Sequence, residues 1–511
     1  MEFQTIVERL RSGQDAKFPP NANSLEFAET LSNQDPLKHL KDEFILPTKG
    51  SLRKKGLSGS ITGESHVNGN GVNGISNGIS TPPSDGKDDD NKKSVYFVGN
   101  SLGAQPKAVR RYLDAQLETW ASIGVGGHFT TWENSPLVAW QDMSADCARK
   151  SVDLVGAASP EEIVLMNTIT ANLHLMMASF YKPTEKRHKI ILEWKPFPSD
   201  FYAIESQIQW HGLDPTKSMV QIEPDQDFII STERILAAID EHADETALLL
   251  LPGVQYYSGQ LFDIPRITKY AQDKGIPYVG WDLAHGAGNV ELQLHDWNVD
   301  FAVWCTYKYI NAGPGAIAGA FVHERHGRVE RDPEAIHGFR HRHRLAGWYG
   351  EDKSVRFDMA NKFQPTPGAG GFQVSNPSAV DLASLSAALS VFEKTRMREL
   401  RSKSLALTAY AEHLLDDIVA SSSSSLTTPP FRIITPRDPL QRGCQLSVLL
   451  RPGLLETVGE ALREGGVVCD QRKPDVIRVA PVPLYCDFVD VYNFMSILRR
   501  AIAAATTASS S

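Results

Sequence analysis

Short runs of apolar residues, separated by segments long enough to form helices, constrain the fold of this chain most. The runs lie at residues 190–192, 219–222, 247–251, 278–281, 301–305 and 316–322. Runs of this length without polar alternation are typical of strands buried on both faces. Because helices connect parallel strands, the alternation predicts βαβ units and a mostly parallel sheet in an α/β domain.

The pattern changes after Asn376. Two long helices are predicted at 379–400 and 404–420, followed by strands at 445–450, 467–470 and 476–479 and a last helix at 488–502. This is typical of a smaller α+β domain. The predicted organisation has five parts: an N-terminal arm (1–48), an insertion (49–93), a large domain (94–345), a C-terminal small domain (346–502) and a flexible tail (503–511).

The insertion at 49–93 consists mainly of Gly, Ser, Asn, Lys and Asp. Such a composition cannot bury enough apolar surface to offset the entropy lost on ordering, so disorder is expected there and in the serine run at 421–425. The basic residues 53–55 fit a solvated loop better than a localisation signal.

Charge and cysteine usage exclude several classes of protein. The net charge is −9, which argues against a broad nucleic-acid surface. The five cysteines are scattered and form no CxxC pair, so neither a zinc framework nor a disulfide scaffold is expected. No apolar run is long enough to span a bilayer and no secretory signal is recognised, so we expect a soluble cytoplasmic protein with no membrane or nucleic-acid partner.

An acid and a lysine follow two neighbouring predicted strands. Asp282 comes directly after the run at 278–281, and Lys308 follows the run at 301–305. Ligands of parallel sheets bind at the carboxyl ends of the strands, so both residues are candidates to face one crevice. A lysine that can form an imine and a carboxylate that can hold a pyridine nitrogen protonated fit a pyridoxal phosphate site. A buried structural ion pair is the alternative for these two residues taken alone.

Two further segments favour the cofactor. Residues 168–170, Thr-Ile-Thr, precede an apolar-periodic stretch and predict a helix N-terminus that can receive a phosphate, with an ordinary Thr N-cap as the alternative when this signal stands alone. Residues 311–319, directly after Lys308, are mostly small and let the backbone pass close to a cofactor. There is no GxGxxG or GxxxxGK[ST] motif, so nucleotide-binding folds lose support.

Several multi-residue segments together carry a family pattern. They are WKPFPSD at 194–200, WDLAH at 281–285, YKYINAG at 307–313, AGW at 346–348, VSNP at 374–377 and IRVAPVPLY at 477–485. In this order they resemble the kynureninase family. The resemblance covers about residues 96–500. This sequence departs from the family in the insertion at 49–93, in a basic, His-rich stretch around 331–344, and in Pro252, where a small polar residue is expected near the cofactor.

The resemblance implies a fold-type-I pyridoxal phosphate enzyme, transferase-like in its large domain, that acts as a homodimer with shared sites. It implies that Lys308 binds the cofactor covalently, that Asp282 meets the ring nitrogen, and that Tyr257 acts as an acid/base group. The other cofactor-binding residues it implies are Ile169, Thr170, Phe197, Pro198, Ser199, Asp200, His285 and Tyr307, with Trp348 and Asn376 from the partner subunit. The substrate-binding residues it implies are His128 and Asn376 at the aromatic ring and Arg478 at the carboxylate.

The reaction implied by the resemblance is hydrolysis of L-kynurenine and 3-hydroxy-L-kynurenine to an anthranilate and L-alanine, in tryptophan catabolism and NAD biosynthesis. An α/β-hydrolase is a rival, because residues 99–103 match GxSxG between a predicted strand and helix, with Ser101 as nucleophile. Within the pyridoxal phosphate class, an aminotransferase or a cysteine desulfurase is the alternative. No metal site is expected: His337, His341 and His343 lie in a basic loop, and the segment 323–326 (HERH) is one residue short of HExxH.

Overall fold

The computed structural model describes residues 2–54, 90–422 and 428–508. Contacts between Cα atoms divide the chain into two compact units. The large unit comprises Gln105–Ser402 and Pro436–Gly443. The small unit comprises the residues up to Ala104, Lys403–Thr435 and those from Cys444 onward. Most of the predicted insertion lies outside the described residues.

The strands are named in chain order. They are β1 (Phe44–Ile45), β2 (Val95–Phe97), β3 (Gln105–Pro106), β4 (Ile163–Met166), β5 (Lys189–Glu193), β6 (Met219–Ile222), β7 (Thr246–Pro252), β8 (Val279–Asp282), β9 (Phe301–Trp304), β10 (Ala318–Val322), β11 (Val329–Arg331), β12 (Phe339–His341), β13 (Phe431–Ile433), β14 (Leu446–Leu450), β15 (Val467–Arg472) and β16 (Val476–Val479).

The helices are cited by their ranges. They are Phe3–Arg11, Leu25–Gln34, Lys49–Leu52, Ala108–Ile123, Trp140–Lys150, Val152–Val155, Ile169–Phe180, Pro198–Trp210, Pro215–Ser218, Thr232–His242, Ile264–Asp273, Glu324–Gly327, Ala379–Phe392, Met397–Ser422, Leu455–Glu464 and Phe488–Ala508. No helix among the described residues is both long and apolar enough to cross a bilayer.

The large unit is built on a seven-stranded sheet with the order β4-β10-β9-β8-β7-β5-β6. The pairs β5–β6, β5–β7, β7–β8 and β8–β9 are parallel, whereas β10 runs antiparallel to both β9 and β4. The expected mostly parallel α/β sheet is therefore confirmed, with β10 as its one reversed strand.

Helices on the sheet explain why its strands are almost wholly apolar. The first six residues of β7, Thr246 to Leu251, are buried, and Leu248 is completely inaccessible. The helices Ile169–Phe180 and Pro198–Trp210 contribute Leu173 and Ile204 to the same core. Because this core holds both helices against the sheet, their N-terminal turns are fixed beside the strand ends.

The small unit contains a five-stranded sheet with the order β13-β14-β16-β15-β2. The pairs β13–β14, β14–β16 and β15–β16 are antiparallel, and β2 adds to β15 in parallel. The expected α+β character is thus present, but one strand comes from residues 95–97, far from the others in sequence.

Some element limits differ from the sequence-based ones. Residues 346–402 group by their contacts with the large unit, because the helix Ala379–Phe392 packs on the helix Ala108–Ile123. The last helix extends to Ala508, past the predicted start of the tail at 503, because Ala505 remains buried. Lys49–Leu52, at the start of the predicted insertion, is a short helix capped by Thr48 and Ser51.

Candidate active site

A cavity opens at the carboxyl ends of β5, β7 and β8 in the large unit. Water could occupy about 100 Å³ of it. Its lining residues are Ile169, Thr170, Glu193, Pro196, Phe197, Ser199, Asp200, Pro252, Val254, Tyr256, Asp282, Ala284, His285, Tyr307 and Lys308. Parallel sheets of this kind bind their ligands at this edge.

Lys308 brings a buried amine into the cavity. It follows β9, is 9% exposed, and its Nζ lies 3.0 Å from His285 Nε2. The same Nζ lies 5.7 Å from the centroid of the Phe197 ring. The amine is thus held between an imidazole and a flat aromatic face.

Asp282 and Asp200 form a pair of carboxyls in the cavity. Asp282 ends β8, and its Oδ1 accepts a 2.7 Å hydrogen bond from the backbone N–H of Ala284. Burial raises the pKa of Asp200 well above its usual range, and the charge and hydrogen bond of Asp282 raise it further against the opposing effect of Lys308. Two adjacent carboxyls cannot both ionise easily, so this arrangement favours a proton on Asp200.

Two helix N-termini meet on another side of the cavity. Thr170 and Ser199 each lie in the first turn of a helix, and their hydroxyl oxygens are 2.6 Å apart. Neither preceding residue, Thr168 or Phe197, caps its helix with a side-chain hydrogen bond. First-turn N–H groups and hydroxyls together form a site suited to a phosphate.

Comparison with known proteins gives the family. A model of the kynureninase C-terminal domain matches residues 400–498, and the aminotransferase class-V model matches residues 139–425. Kynureninase 1 of Neurospora crassa is 65% identical over 98% of this chain and 99% of its own length. Kynureninase of Pyricularia oryzae is 60% identical over 95% of this chain and 96% of its own length.

The chain belongs to the kynureninase family. Its activity is that of a kynureninase, a pyridoxal phosphate-dependent hydrolase that cleaves a carbon–carbon bond.

Solved structures confirm the fold class. Cysteine desulfurase from Thermococcus onnurineus NA1 matches with a TM-score of 0.62 and 17% identity, covering 80% of this chain and 95% of that one. A variant of C-DES with glycine covalently linked to its PLP cofactor matches with a TM-score of 0.60 and 17% identity, covering 80% and 96%. At this identity the likeness concerns the fold alone.

The kynureninase cavity has a polar group for each part of pyridoxal phosphate. A buried amine suits the aldehyde, an adjacent pair of carboxyls suits the ring nitrogen, and hydroxyls at helix N-termini suit the phosphate. The residues present therefore fit the cofactor. Pro252 lines the same cavity and offers neither a side-chain donor nor a backbone N–H, so the polar contact expected at this position is missing.

The cavity collects nine of the residues proposed from the sequence for the cofactor within one chain. They are Ile169, Thr170, Phe197, Ser199, Asp200, Asp282, His285, Tyr307 and Lys308. Pro198 is the first residue of the helix Pro198–Trp210 and does not line the cavity. Tyr257 is buried and does not line the cavity, and Lys195 Nζ lies 4.4 Å from its ring centroid, whereas Tyr256 lines the cavity.

The proposed partner-subunit residues lie elsewhere on the large unit. Trp348 is 39% exposed and Asn376 is also exposed, and neither lines this cavity. His128 is half-buried against Trp140, with their ring centroids 5.1 Å apart.

Arg478 lies in β16 of the small unit. It is 1% exposed, forms an ion pair with Asp470, and donates a 3.2 Å hydrogen bond to the Ser101 hydroxyl. Ser101 thus contacts a carboxylate and an arginine, whereas a serine nucleophile of this kind needs a histidine beside it. The α/β-hydrolase alternative is wrong, since the full-length relatives are kynureninases.

Glu193 was missed by the sequence analysis. It ends β5, lines the cavity and is 1% exposed, and burial raises its pKa to about 7. The signal was present, because Glu193 follows an apolar run as directly as Asp282 does. Its Oε1 accepts a 3.2 Å hydrogen bond from the Gln255 side chain, whose Oε1 in turn accepts from the Tyr257 N–H at 2.6 Å.

The cysteines do not fit the chemistry of a cysteine desulfurase, which needs a reactive thiolate. Cys147, Cys305, Cys444 and Cys486 are buried and none of the five forms a disulfide. Burial raises the pKa of Cys147 to about 12 and also raises that of Cys305, so neither thiol is activated.

His323, from the HERH segment, lies near Glu162 and His295, where Glu162 Oε1 accepts a 2.9 Å hydrogen bond from His295 Nδ1.

Proposed function

We propose that this cavity carries out the hydrolytic cleavage of the Cβ–Cγ bond of L-kynurenine and 3-hydroxy-L-kynurenine, which gives anthranilate or 3-hydroxyanthranilate and L-alanine. The observation that supports this proposal most directly is the buried Lys308 amine, which lies 3.0 Å from His285 and in the same cavity as Asp282 and Asp200. When bound, pyridoxal phosphate supplies an electron sink for the substrate's α-carbon.

Lys308 is the proposed site of covalent attachment and the base at the α-carbon. Its Nζ lies in a mostly buried environment beside His285, where it can reach a bound substrate. Nζ accepts the α-proton and later returns a proton to the product alanine. His285, 3.0 Å away, orients the amine.

Asp282 is the proposed partner of the cofactor's ring nitrogen. Its position is fixed by the Ala284 N–H, and Asp200 supplies a proton that the two carboxyls share. The phosphate would be held by Thr170, Ser199 and the N–H groups of their two helix turns. Phe197 and Tyr307 would pack on the ring.

The substrate-binding roles are also proposals. Arg478 would bind the α-carboxylate through its planar fork, and Asp470 would orient that fork. His128 and Asn376 would contact the aromatic ring. Tyr257, whose backbone is fixed through Gln255 and Glu193, would move protons during cleavage at Cγ.

We further propose a homodimer in which Trp348 and Asn376 complete the partner's site. Trp348 packs edge-on against Phe357, with ring centroids 5.9 Å apart, and Phe357 contacts Phe129, which is 64% exposed. A surface cluster of aromatic side chains is typical of an interface between subunits. The free, mostly buried cysteines support a reducing compartment, and we propose the cytoplasm.

One experiment tests the central role. The purified protein is treated with borohydride, which makes the covalent link permanent, and the modified peptide is located by mass spectrometry. We expect modification of Lys308, and we expect Lys308→Ala to lose both the link and alanine release from kynurenine, while Lys217→Ala on the surface keeps both. A modified lysine other than Lys308 would overturn the assignment.

Mixing two inactive variants tests the dimer. Lys308→Ala and Asn376→Ala remove groups proposed to act in one site from two different subunits. If they do, mixed dimers contain one intact site and the mixture regains about a quarter of the original activity. No recovery after subunit exchange, verified by mass spectrometry of tagged chains, would contradict shared sites.

A further inference from the structure

The large unit contains a second cavity, here called the basic pocket, which shares no lining residue with the active-site cavity. Water could occupy about 490 Å³ of it. It is lined by the end of the helix Ile169–Phe180, the segment after β10, and the hairpin of β11 and β12. The basic, His-rich stretch that departs from the family pattern forms one of its walls.

The hairpin explains how the cations come together. In the antiparallel pair β11–β12, Glu330 lies opposite Arg340. Because alternate residues of a strand share a face, Arg328 lies on the Glu330 side and Arg342 on the Arg340 side. All four residues line the pocket. Lys182, after the end of the helix, lines it too.

The charge of the basic pocket is not balanced by its own residues. Lys182, Arg325, Arg328, Arg340 and Arg342 line it, and Glu330 is the one acid of the lining. Arg340 binds Asp332 at 2.7 Å and Arg325 binds Asp300 at 2.8 Å. Among the described residues, Lys182, Arg328 and Arg342 have no such carboxylate partner. Burial lowers the pKa of Lys182, and the positive charge of Arg342 lowers it further.

Arg342 is held in place without an anion. Its guanidinium carbon lies 4.6 Å from the centroid of the Phe180 ring and 4.8 Å from that of the Tyr278 ring. Nη2 donates a 2.7 Å hydrogen bond to His326 Nδ1, while the buried Nε finds no hydrogen-bond partner in the described part of the chain. Nδ1 of His341 is likewise buried without a partner there.

We propose that the basic pocket binds a phosphate compound with at least two negative charges, a polyphosphate or a phosphate ester. Its volume is in the range of small-molecule sites, which is roughly 300–1,000 Å³. Arginines and lysines that converge on one concavity, with a fixed planar guanidinium among them, suit phosphate oxygens. A multiply charged anion would relieve the repulsion between Lys182 and Arg342.

The test is calorimetric titration of inorganic pyrophosphate into the full-length holoenzyme, freed of unbound cofactor and kept in EDTA. Bound cofactor keeps the probe out of the active site, and EDTA removes metal ions that histidines could hold. We expect one saturable site per chain, retained when sodium chloride is added to match the ionic strength. Heat that disappears in the matched salt would overturn the proposal.

A double variant locates the site. Lys182→Gln with Arg328→Gln removes two exposed cations, and each lost charge-assisted contact should weaken binding by about tenfold. Lys217→Gln, an exposed lysine of the same unit outside the pocket, is the control and should leave the affinity unchanged. Kynurenine hydrolysis should be normal in both variants, because neither touches the active-site cavity. Equal pyrophosphate affinity in all three proteins would overturn the proposal.

Titration of ADP in place of pyrophosphate distinguishes a polyphosphate from a phosphate ester as the ligand. If ADP binds as tightly as pyrophosphate, the pocket recognises the phosphates alone. If ADP binds more tightly, the pocket also contacts the nucleoside that is esterified to the phosphates. Both results support the proposal. Failure of both compounds to bind contradicts it.

Discussion

Asp200 and Asp282 in the large unit and Asp470 in the small unit are carboxyls beside another ionisable group, but that group differs in kind. Asp200 is buried beside a second carboxyl; burial raises its pKa well above the usual range, and the neighbouring carboxyl raises it further. Asp470 faces Arg478, and both side chains of this ion pair are 1% exposed. A like-charge pair is costly and suits a site that must accept a cationic ring nitrogen, whereas an opposite-charge pair is balanced before any ligand arrives.

The largest expected effect is a loss of kcat, and it should be much greater for substitution of Asp282 than for substitution of Asp200. Asp282→Asn removes the negative charge and should lower kcat for alanine release by about 10³-fold. Asp200→Asn replaces a protonated carboxyl by a neutral amide and should lower kcat by about tenfold only. Steady-state kinetics with saturating cofactor measure both. Equal losses would mean that the two carboxyls do not divide the charge as proposed.

Breaking the opposite-charge pair should affect stability first. Asp470→Asn leaves the buried Arg478 without its carboxylate, which typically costs about 3–5 kcal/mol. Urea unfolding measures the loss, and KM for kynurenine should rise because the guanidinium is no longer oriented. Glu460→Gln removes an exposed partner of Arg463 in the same unit and is the control. An unchanged unfolding midpoint for Asp470→Asn would show that Arg478 is stabilised by other groups.

Glu193 sharpens the comparison. Burial is the main cause of its raised pKa, as it is for Asp200, whose pKa Asp282 raises further. The folded-state pKa, about 7, lies above the ordinary 4.5, so stability is complete at pH 4 and falls as the pH rises through 7. The loss is of order 3 kcal/mol by pH 8. Glu193→Gln should remove this decline, measured as unfolding free energy against pH. The same slope in the variant would assign the decline to another group.

The smallest expected effect concerns the strand that carries Asp282. A Cβ at Gly280 would lie 2.2 Å from the Phe301 ring. Gly280→Ala should therefore destabilise the protein by about 1–3 kcal/mol and displace the end of β8. Gly370→Ala, where the nearest atom is 3.5 Å away, is the matched control. Thermal unfolding compares them, and equal stabilities would show that Phe301 can move aside.

Local patterns predicted the central strands of the large sheet well, because these strands are buried on both faces. The edge strand β6 and β16 of the small unit were also predicted, from the runs at 219–222 and 476–479, residue for residue. β4 was missed, although Ile163–Met166 is wholly apolar and buried. The partner of β2 could not be inferred, because its pairing with β15 joins residues about 370 positions apart and leaves no local signal.

The candidate site was predictable where strand ends determine it. Asp282 and Lys308 follow apolar runs, and the sheet places both at one cavity. Glu193 also follows an apolar run directly and lines the same cavity, so the same pattern marks it. Trp348 and Asn376 could be proposed only from the resemblance, because a single chain has no local pattern that marks a residue as acting in a neighbouring subunit.

The reversed strand β10 places the β11–β12 hairpin and the cofactor-binding strand ends at opposite edges of the sheet. It carries the chain away from the catalytic edge of the sheet, so the hairpin that follows begins at the opposite edge. A segment attached there can lengthen, shorten or acquire new charges without disturbing the strand ends that hold the cofactor. Sequence changes in this hairpin can therefore create a new binding site while the strand ends that hold the cofactor keep their geometry.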